Sequence, residues 1–381
     1  MFVVKNSKYP IGLDISDTSL KAIQLSRSGD KINVQGLSRI NLSEGCIVNG
    51  EIKNQETLKK GLDALFLKPK FGFFSSKNIV ACLPEEKTYL KLIKIENTPN
   101  PLRDMIENEI ENHIPLALSD LCYDSQVCAK NNETADILIG AAPKNIVNQY
   151  VDALKFAKLS IQALEIEGAA ISRALLREES PKFQEKTKIN YAILDIGANR
   201  ASMVIYARNT IVLTVSMPIS GKTATERISK ALEITAEQAE KAKIICGLDK
   251  EKAQGIISNI LADNISELNA KIKNALNFFY NHYPEFGGID KIILCGGAAM
   301  IRNLGQMIKE ANGIETALGD ISANISGLAK IIEKEFTEEL SLSFEGDKEA
   351  KARTFSIRQD NSLSYATAFG LAMRNVYLDM R

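Results

Sequence analysis

Apolar and polar residues alternate in a short unit near the start of the chain. Residues 9–25 predict a strand, a turn of small polar residues at 16–19 and a second strand, because apolar side chains recur at every second position. Glycine and aspartate at 29 and 30 suit a hairpin turn, and residues 32–37 predict a third strand. The apolar spacing over 55–66 then predicts a helix.

The same order of elements recurs in the second half of the chain. Strands are predicted at 191–196, 201–206 and 211–217, a small polar turn at 197–200, and a helix from about Thr223 to Leu232. Asp14 and Asp195 occupy the same place in the two copies, 195 − 14 = 181 residues apart. The repetition predicts a duplicated α/β fold with two lobes.

The last elements of the two halves are also predicted to be similar. The elements predicted here are a strand at 137–142, a helix at 145–157, a strand at 161–166 and a helix at 168–176 in the first half, and a strand at 291–295 followed by a helix through Met307 in the second half. Strands that alternate with helices predict parallel or mixed sheets with helices on both faces.

Two segments interrupt the repeat and suggest the domain boundaries. The predicted divisions are a first-lobe core at 1–77 completed by 161–187, an inserted subdomain at 78–160, a second-lobe core at 188–222 completed by 286–381, and a helical insertion at 223–285. The first insertion contains an amphipathic helix from Pro101 to about Ile114, whose apolar face we expect to be core. The polar stretch 341–362 predicts a hairpin or a loop.

Composition narrows the class of protein. The chain has 47 basic and 47 acidic residues, so its balanced charge offers no overall attraction to nucleic acid or anionic lipid. Its six cysteines have no zinc-type spacing, and two histidines leave little for a histidine-based metal site or catalytic triad. No stretch approaches the ~18 apolar residues of a membrane helix, and the N-terminus is unlike a secretory signal. We expect a cytoplasmic protein that reaches a membrane only through a partner.

The paired aspartate turns are the strongest candidates for chemistry. Small residues let backbone N–H groups approach phosphate oxygens, so two such turns would hold a polyphosphate from both sides. Asp14 and Asp195 would then hold Mg²⁺ through water, since this ion keeps much of its hydration shell. Lys21 lies across the hairpin, within reach of a β- or γ-phosphate. The remaining turn residues of this predicted site are Ser16, Asp17, Thr18, Ser19, Gly197, Ala198 and Asn199.

The alternative to a phosphate site is that both segments are ordinary tight turns whose aspartates are solvated. The recurrence of the same turn in both halves of the chain favours the phosphate site. Gly296, Gly297 and Ala298 follow an apolar strand and would permit close approach of a ligand, although such glycines often serve only tight packing. Glu240 and Lys243 lie three residues apart on one helical face, a spacing more typical of a solvated ion pair than of a ligand site.

Taken together, these motifs resemble those of the actin/Hsp70/sugar-kinase superfamily. The matching segments are IGLDISDTSLK (11–21) for the first phosphate motif, LDIGAN (194–199) for the second, ILCGGAA (293–299) for the adenosine motif, AEKAK (239–243) for the segment whose Glu and Lys contact adenosine, and YATAFGLA (365–372) for the closing helix. The resemblance implies an actin-like, ribonuclease H-like fold that binds ATP and Mg²⁺ between its two lobes.

Within this superfamily the chain resembles the branch of PilM and FtsA. The subdomain inserted into the first half marks this branch, IENHIPL (110–116) is similar to a helix-ending pattern of PilM, and MPISG (217–221) resembles the strand exit after the second hairpin. The resemblance implies an ATP-binding type IV pilus assembly protein that holds the N-terminal cytoplasmic tail of the bitopic membrane protein PilN. That tail would lie in a groove between the first and the inserted subdomains.

Two other functions stay open at this point. An FtsA-like filament-forming division tether usually ends in a linker and a basic amphipathic helix, whereas this sequence ends soon after the closing helix motif, which we take to disfavour tethering. A small-molecule kinase needs an acidic base, and no residue between 78 and 166 stands out as one. Without a recognised base we expect slow ATP hydrolysis or none. Self-association is left open.

Overall fold

The computed structural model describes residues 9–28, 31–96, 101–176, 189–325, 328–344 and 353–374, with side chains left undescribed at 323–324, 342–344 and 353–356. Residues 29 and 30 of the predicted hairpin turn lie outside the described residues, as do 345–352 of the polar stretch and the charged, turn-like segment 182–188 that is predicted to join the two halves.

The first half of the chain is built mainly of strands. Its elements are β1 (Ile11–Ile15), β2 (Ser19–Ser28), β3 (Lys31–Asn41), β4 (Ile47–Val48), β5 (Glu51–Ile52), α1 (Gln55–Leu67), β6 (Phe71–Gly72), β7 (Asn78–Leu83), β8 (Tyr89–Glu96), α2 (Leu102–His113), β9 (Leu121–Lys130), β10 (Thr134–Pro143), α3 (Lys144–Phe156), β11 (Ser160–Ile166) and α4 (Glu167–Leu175).

The second half contains more helix. Its elements are β12 (Tyr191–Ile196), β13 (Ala201–Ala207), β14 (Thr210–Met217), α5 (Gly221–Leu232), α6 (Ala236–Ile245), α7 (Ile256–His282), β15 (Lys291–Cys295), α8 (Leu304–Asn312), β16 (Glu315–Leu318), α9 (Leu328–Ile331), β17 (Thr337–Phe344), β18 (Arg353–Asp360) and α10 (Ala366–Met373). The helix α5 begins two residues before the predicted start because Ser220 caps it by accepting from the N–H of Thr223.

Two sheets carry the duplication. The first has the strand order β11-β7-β1-β2-β3-β6, and the second has the order β16-β15-β12-β13-β14-β8-β10-β9. In each sheet the aspartate strand pairs antiparallel with the next strand and parallel with a later one, so that β1 lies between β2 and β7 and β12 lies between β13 and β15. The predicted duplicated α/β fold is confirmed.

One predicted correspondence is wrong. The strand predicted at 137–142 is part of β10, which runs antiparallel between β8 and β9. The strand in the first half that corresponds to β15 is β7, because each lies parallel to its aspartate strand. Apolar periodicity marks a strand but does not specify its partner, and this is why the two were confused.

Strand pairing also shows how the segment 78–160 is distributed. Strand β7 pairs with β1 and β11, and α3 buries Ile146, Tyr150 and Leu154 against the first-lobe core. The strands β8, β10 and β9 instead extend the second sheet through β14, where Leu213 faces Lys91. The inserted strands carry α2, whose Ile106 and Ile110 are buried as the amphipathic pattern predicted.

The helices α4 and α10 lie between the two sheets. One apolar cluster joins Ile23 of the first sheet, Ile171 of α4, Phe369 of α10 and Val204 of the second sheet. Small residues let these layers approach closely. A Cβ atom at Gly12 would lie 2.3 Å from the carbonyl oxygen of Ala368, and one at Gly370 would lie 1.8 Å from the carbonyl oxygen of Ala170.

This packing gives a prediction for stability. We expect Gly370→Ala to lower the free energy of unfolding by about 2 kcal/mol or more, because the added methyl group meets backbone that cannot move aside without shifting α4. Gly288→Ala is the matched control, since no heavy atom lies within 4 Å of its added Cβ. Urea unfolding of both variants measures the difference. Equal midpoints for the two variants would contradict the close packing of α4 on α10.

Candidate functional site

The turns after β1 and β12 line one cleft between the two lobes. The predicted site residues on its walls are Asp14, Ser16, Asp17, Thr18, Ser19, Lys21, Asp195, Gly197, Ala198, Asn199, Gly296 and Gly297. Duplication of the strand unit therefore brings residues that are far apart in sequence to a single cavity.

The first turn is closed by its own serines and anchored by its aspartate. The N–H of Ser16 donates to the carbonyl oxygen of Ser19 at 3.0 Å, and the Ser16 hydroxyl donates to the same oxygen at 3.0 Å. The carboxylate of Asp17 accepts from the N–H groups of Asn49 at 2.9 Å and Gly50 at 3.0 Å. Asp17 thus fixes the turn to the neighbouring β4–β5 hairpin.

The second turn is closed by a backbone hydrogen bond from Gly197, and the N-terminus of the helix α5 packs against it. The N–H of Gly197 donates to the carbonyl oxygen of Arg200 at 2.8 Å, and a Cβ at Gly197 would lie 3.0 Å from that oxygen. The N–H of Gly221, the first residue of α5, donates to the carbonyl oxygen of Gly197 at 3.1 Å. The site therefore combines a tight turn with a helix N-terminus, two features that favour anions.

Asp14 and Lys21 form a nearly buried ion pair beside the first turn. They face each other in the register of β1 and β2, with Lys21 Nζ 2.8 Å from Asp14 Oδ2 and side-chain exposures of 12% and 6%. The thiol of Cys82 donates to the other carboxylate oxygen of Asp14 at 3.6 Å. Burial, and then the neighbouring Asp14, raise the pKa of Cys82 well above its usual value, so the thiol stays a neutral donor.

Asp195 and Glu167 make the centre of the cleft rich in carboxyl groups. Burial raises the pKa of Asp195 to about 6, with Lys21 opposing and Asp14 adding to the shift. Burial, and then repulsion from Asp195 and Asp14, raise the pKa of Glu167 well above its usual value. The Thr367 hydroxyl donates to Glu167 at 3.1 Å. Bound cations or protons would relieve this repulsion, so the donor set fits a hydrated Mg²⁺ ion.

A bound Mg²⁺ ion would be coordinated by water and by oxygens of its ligand as well as by the protein. Among the described residues, no group of three or more His, Cys, Asp or Glu side chains is arranged to hold a metal ion by itself. Mg²⁺ commonly binds through one or two carboxylates, retained waters and substrate phosphates. Asp14 and Asp195 are compatible with that pattern.

Sequence reasoning missed several cleft residues. Glu85, Glu86, Glu167, Arg39 and Arg200 also line the cleft. Glu85 lies between residues 78 and 166, where the sequence showed no residue that stood out as an acidic base. A usable signal was present, because Glu85 lies two residues after the end of β7 and Glu167 directly follows β11, and the carboxyl ends of parallel strands meet at one edge of a sheet.

Ala298, Glu240 and Lys243 are not among the residues that line the cleft. Lys243 Nζ donates to Glu240 at 2.6 Å, to the Thr225 hydroxyl at 2.8 Å and to the Gly221 carbonyl oxygen at 2.9 Å. Its side chain is 3% exposed, so the description of this pair as solvated is wrong for Lys243. Burial lowers the pKa of Lys243, while Glu240 opposes that shift. A Cβ at Gly221 would lie 3.2 Å from Ala298 Cβ and 3.5 Å from Lys243 Nζ, so these groups converge beside the second turn.

Polar contacts bridge the mouth of the cleft. Asn199 Nδ2 donates to Asp17 Oδ2 at 3.2 Å, Lys222 Nζ lies 3.2 Å from Glu44, and Arg200 pairs with Glu86. The Lys222–Glu44 pair is exposed, and exposed ion pairs contribute roughly 0 to 1 kcal/mol each. They can hold the lobes together without preventing them from opening.

A second cavity of about 550 Å³ lies between the inserted strands and the second lobe. Its apolar walls come from β8, α2, β14 and α7, and we call it the apolar groove; they include Tyr89, Leu90, Ile93, Ile110, Ile114, Leu213, Val215, Met217, Ala275 and Phe278. Phe278 is 42% exposed and stacks on His282 with ring centroids 4.0 Å apart. His113, Glu109 and Lys91 form a polar edge, with His113 Nε2 3.1 Å from Glu109.

The described part of the chain contains no helix long and apolar enough to cross a membrane. Curated relatives at low identity include the cell division protein FtsA of Buchnera aphidicola subsp. Baizongia pistaciae, 23% identical over 96% of both chains. FtsA of Buchnera aphidicola subsp. Acyrthosiphon pisum is 22% identical over 90% of this chain and 86% of that protein.

Solved structures show the fold. A chain of the PilM–PilN type IV pilus biogenesis complex superposes with a TM-score of 0.74 at 20% identity, covering 97% of this chain and 98% of that one. EutJ of Carboxydothermus hydrogenoformans gives 0.53 at 11% identity, covering 96% and 89%. MreB5 of Spiroplasma citri bound to AMPPNP gives 0.51 at 14% identity, covering 87% and 97%.

The family comparison covers both lobes of the fold. The family described as type IV pilus assembly protein PilM matches residues 12–344, from the first aspartate strand to the end of β17. This match includes both aspartate turns, the inserted strands and the Gly296–Gly297 turn. The chain therefore has the actin-like fold and belongs to the family of the type IV pilus assembly protein PilM.

Proposed function

We propose that this protein is an ATP-binding adaptor of a type IV pilus, or related secretion, assembly platform at the inner membrane. In this role it binds the N-terminal cytoplasmic tail of a PilN-like membrane protein and is peripheral to the membrane through that partner. The observation that carries the proposal is that the carboxyl-rich cleft and the apolar groove lie back to back, with Ser216 on the walls of both. Family membership and the likeness to the PilM–PilN complex support it.

The cleft is assigned to MgATP. The MreB5 neighbour, which is similar in fold, is bound to AMPPNP, and this supports a nucleotide as the ligand. Lys21 would contact a β- or γ-phosphate, Asp14 and Asp195 would hold hydrated Mg²⁺, and the two turns would surround the phosphates. Gly296 and Gly297 on the cleft wall are assigned to the adenosine side, and Ala298, Glu240 and Lys243, which are not on that wall, are assigned to the support of the adenosine side beside the second turn. When bound, the metal would offset phosphate charge.

Hydrolysis is expected to be slow. Glu167 is a buried carboxyl group of the cleft that could serve as a general base, but burial and repulsion from Asp195 and Asp14 raise its pKa well above its usual value and so favour its protonated form. A protonated carboxyl cannot accept a proton from water. The nucleotide would therefore act mainly by holding the two lobes together.

The apolar groove is assigned to the partner's tail. Its volume of about 550 Å³ is ample for one or two apolar side chains, and its walls are rigid because they come from strands and helices. Exposed Phe278 suits a peptide segment that buries an apolar side chain in the groove, and the polar edge at His113 suits the polar backbone of that segment. This location is between the inserted strands and the second lobe, rather than between the first and inserted subdomains as the resemblance implied.

The similarity to FtsA favours one alternative, a filament-forming cell-division tether. Tail binding separates the two functions, because an adaptor needs the groove whereas a tether acts through self-association.

Tail binding is the first prediction. A fluorescently labelled peptide of the PilN-like N-terminal cytoplasmic tail should bind saturably to the full chain, and MgATP should change its affinity. Phe278→Ala should weaken binding at least fivefold by removing one wall of the groove. Tyr280→Ala is the matched control, since this exposed aromatic residue lies on the same helix and not on the groove wall. No tail binding together with nucleotide-dependent filaments would support the tether instead.

Loss of the buried lysine should weaken nucleotide binding. We expect Lys21→Ala to reduce MgATP affinity at least several-fold, because it removes the cation next to the predicted phosphate position and leaves Asp14 unpaired. Lys222→Ala, which changes an exposed lysine near the same cleft, should have less than a twofold effect. Calorimetric titration measures both. Equal affinities for the Lys21 variant and the wild type would remove Lys21 from the site.

Affinity for the metal-bound nucleotide should depend on pH through Asp195. Its pKa of about 6 in the nucleotide-free protein means that it is protonated below pH 6 and ionised above. Only the ionised carboxylate favours a cation, so MgATP affinity should rise between pH 5 and pH 7.5. ATP itself titrates in this range, and Asp195→Asn is the control that removes the contribution of Asp195 and retains those of the ligand and of the other cleft carboxyl groups. Identical pH profiles for wild type and Asp195→Asn would contradict the assignment.

A further inference from the structure

Three charged side chains form a row across the first sheet on the wall of the cleft. Asp14 of β1 faces Lys21 of β2, and Lys21 in turn faces Arg39 of β3 in the antiparallel register. Directly opposite residues of antiparallel strands lie on the same face of the sheet, and all three of these residues line the cleft. Arg39 is therefore the next side chain along the wall beyond the Asp14–Lys21 ion pair.

The charge of Lys21 is already partly balanced within the protein. Its Nζ lies 2.8 Å from Asp14 Oδ2 and 6.0 Å from the centre of the Tyr365 ring. The side chains of Lys21 and Asp14 are only 12% and 6% exposed, so solvent screens this pair little and its separation would be unfavourable. A phosphate group beside Lys21 would thus meet a cation that Asp14 also holds.

The walls of the cleft offer few other positive charges. Acidic side chains outnumber basic ones there, and the basic ones are Lys21, Arg39 and Arg200. Arg200 pairs with Glu86. Arg39 is exposed and has no ion-pair partner within the part of the chain that the structure describes. It can therefore bind an added anion without first breaking an ion pair.

The chemistry of Arg39 suits a phosphate. A guanidinium group is charged at every physiological pH, and its planar fork of N–H donors matches two phosphate oxygens at once. The charge of Arg39 also acts towards the cleft, because it opposes the burial that raises the pKa of Tyr365 to about 12. The ring of Tyr365 is the one that Lys21 approaches, so the two cations share a neighbour on this wall.

We propose that Arg39 binds the phosphates of the nucleotide and supplies the positive charge that Lys21 shares with Asp14. This inference rests on the proposed function and names a further binding residue of the same site. Lys21 then both balances Asp14 and contacts a phosphate, whereas Arg39 acts on the anion alone. The ligand class that this charge favours is a polyphosphate rather than an uncharged nucleoside.

Calorimetric titration of the full chain with MgATP tests this assignment. At ~0.05 M salt, Arg39→Gln should weaken binding at least fivefold, because it removes a charge-assisted contact. Arg39→Lys keeps the charge but loses the fork, so its loss should be smaller. Lys31→Gln is the matched control, since it removes an exposed positive charge from the same strand at a residue that does not line the cleft, and it should change the affinity less than twofold.

The dependence on salt separates a contact with the anion from a structural effect. Salt screens exposed charges, so the difference between the wild type and Arg39→Gln should narrow at ~0.5 M salt. Equal affinities of these two proteins at low salt would overturn the assignment. A loss that Arg39→Lys shares in full, or one that does not narrow with salt, would also overturn it. If the wild type itself does not bind MgATP, the proposed nucleotide site fails together with Arg39, whereas an unaffected Arg39→Gln leaves that site standing.

Discussion

The close approach of α4 and α10 between the two sheets is the constraint on which the rest of the structure depends. Ala170 and Gly370 bring these helices into backbone contact, and Gly12 brings β1 equally close to α10. Because packed interiors deform little, this contact fixes the distance between the two sheets where the helices pack. It therefore limits how far apart the two aspartate turns can lie, although neither turn takes part in the packing.

That geometry has an electrostatic consequence. Two aspartate strands facing each other place Asp14 and Asp195 in one cleft, and Glu167 enters it from the start of α4. Buried carboxyl groups destabilise one another when ionised, so the pKa of Glu167 is raised, while the charge of Asp14 is paired with that of Lys21. A site arranged in this way gains from a bound cation, and this gain is the physical basis for assigning Mg²⁺ to it.

The sequence predicted local structure better than it predicted partners. The three-stranded units, their turns and the helix α1 follow from apolar periodicity and small residues, which act within a few positions. The pairing of β14 with β8 joins Leu213 to Lys91, and no periodic pattern specifies such a distant neighbour. Glu85 and Glu167 escaped notice for a related reason: each is a single acidic residue, and only the strand order brings them together. Lys243 was expected to be solvated because helical spacing does not show that α5 covers it.

The pairing of β14 with β8 also explains why a groove forms at this place. An uncovered edge of the second-lobe sheet would expose backbone donors and acceptors, and β8 covers it around Leu213 and Lys91. A join this short leaves the adjoining parts of the two strands free to diverge, so α2 and α7 enclose an apolar space beside it. The width of that space depends on the angle between the inserted strands and the second lobe. Since Ser216 of β14 lies on the walls of both the cleft and the groove, a shift of β14 would change both cavities without a long chain of intervening contacts.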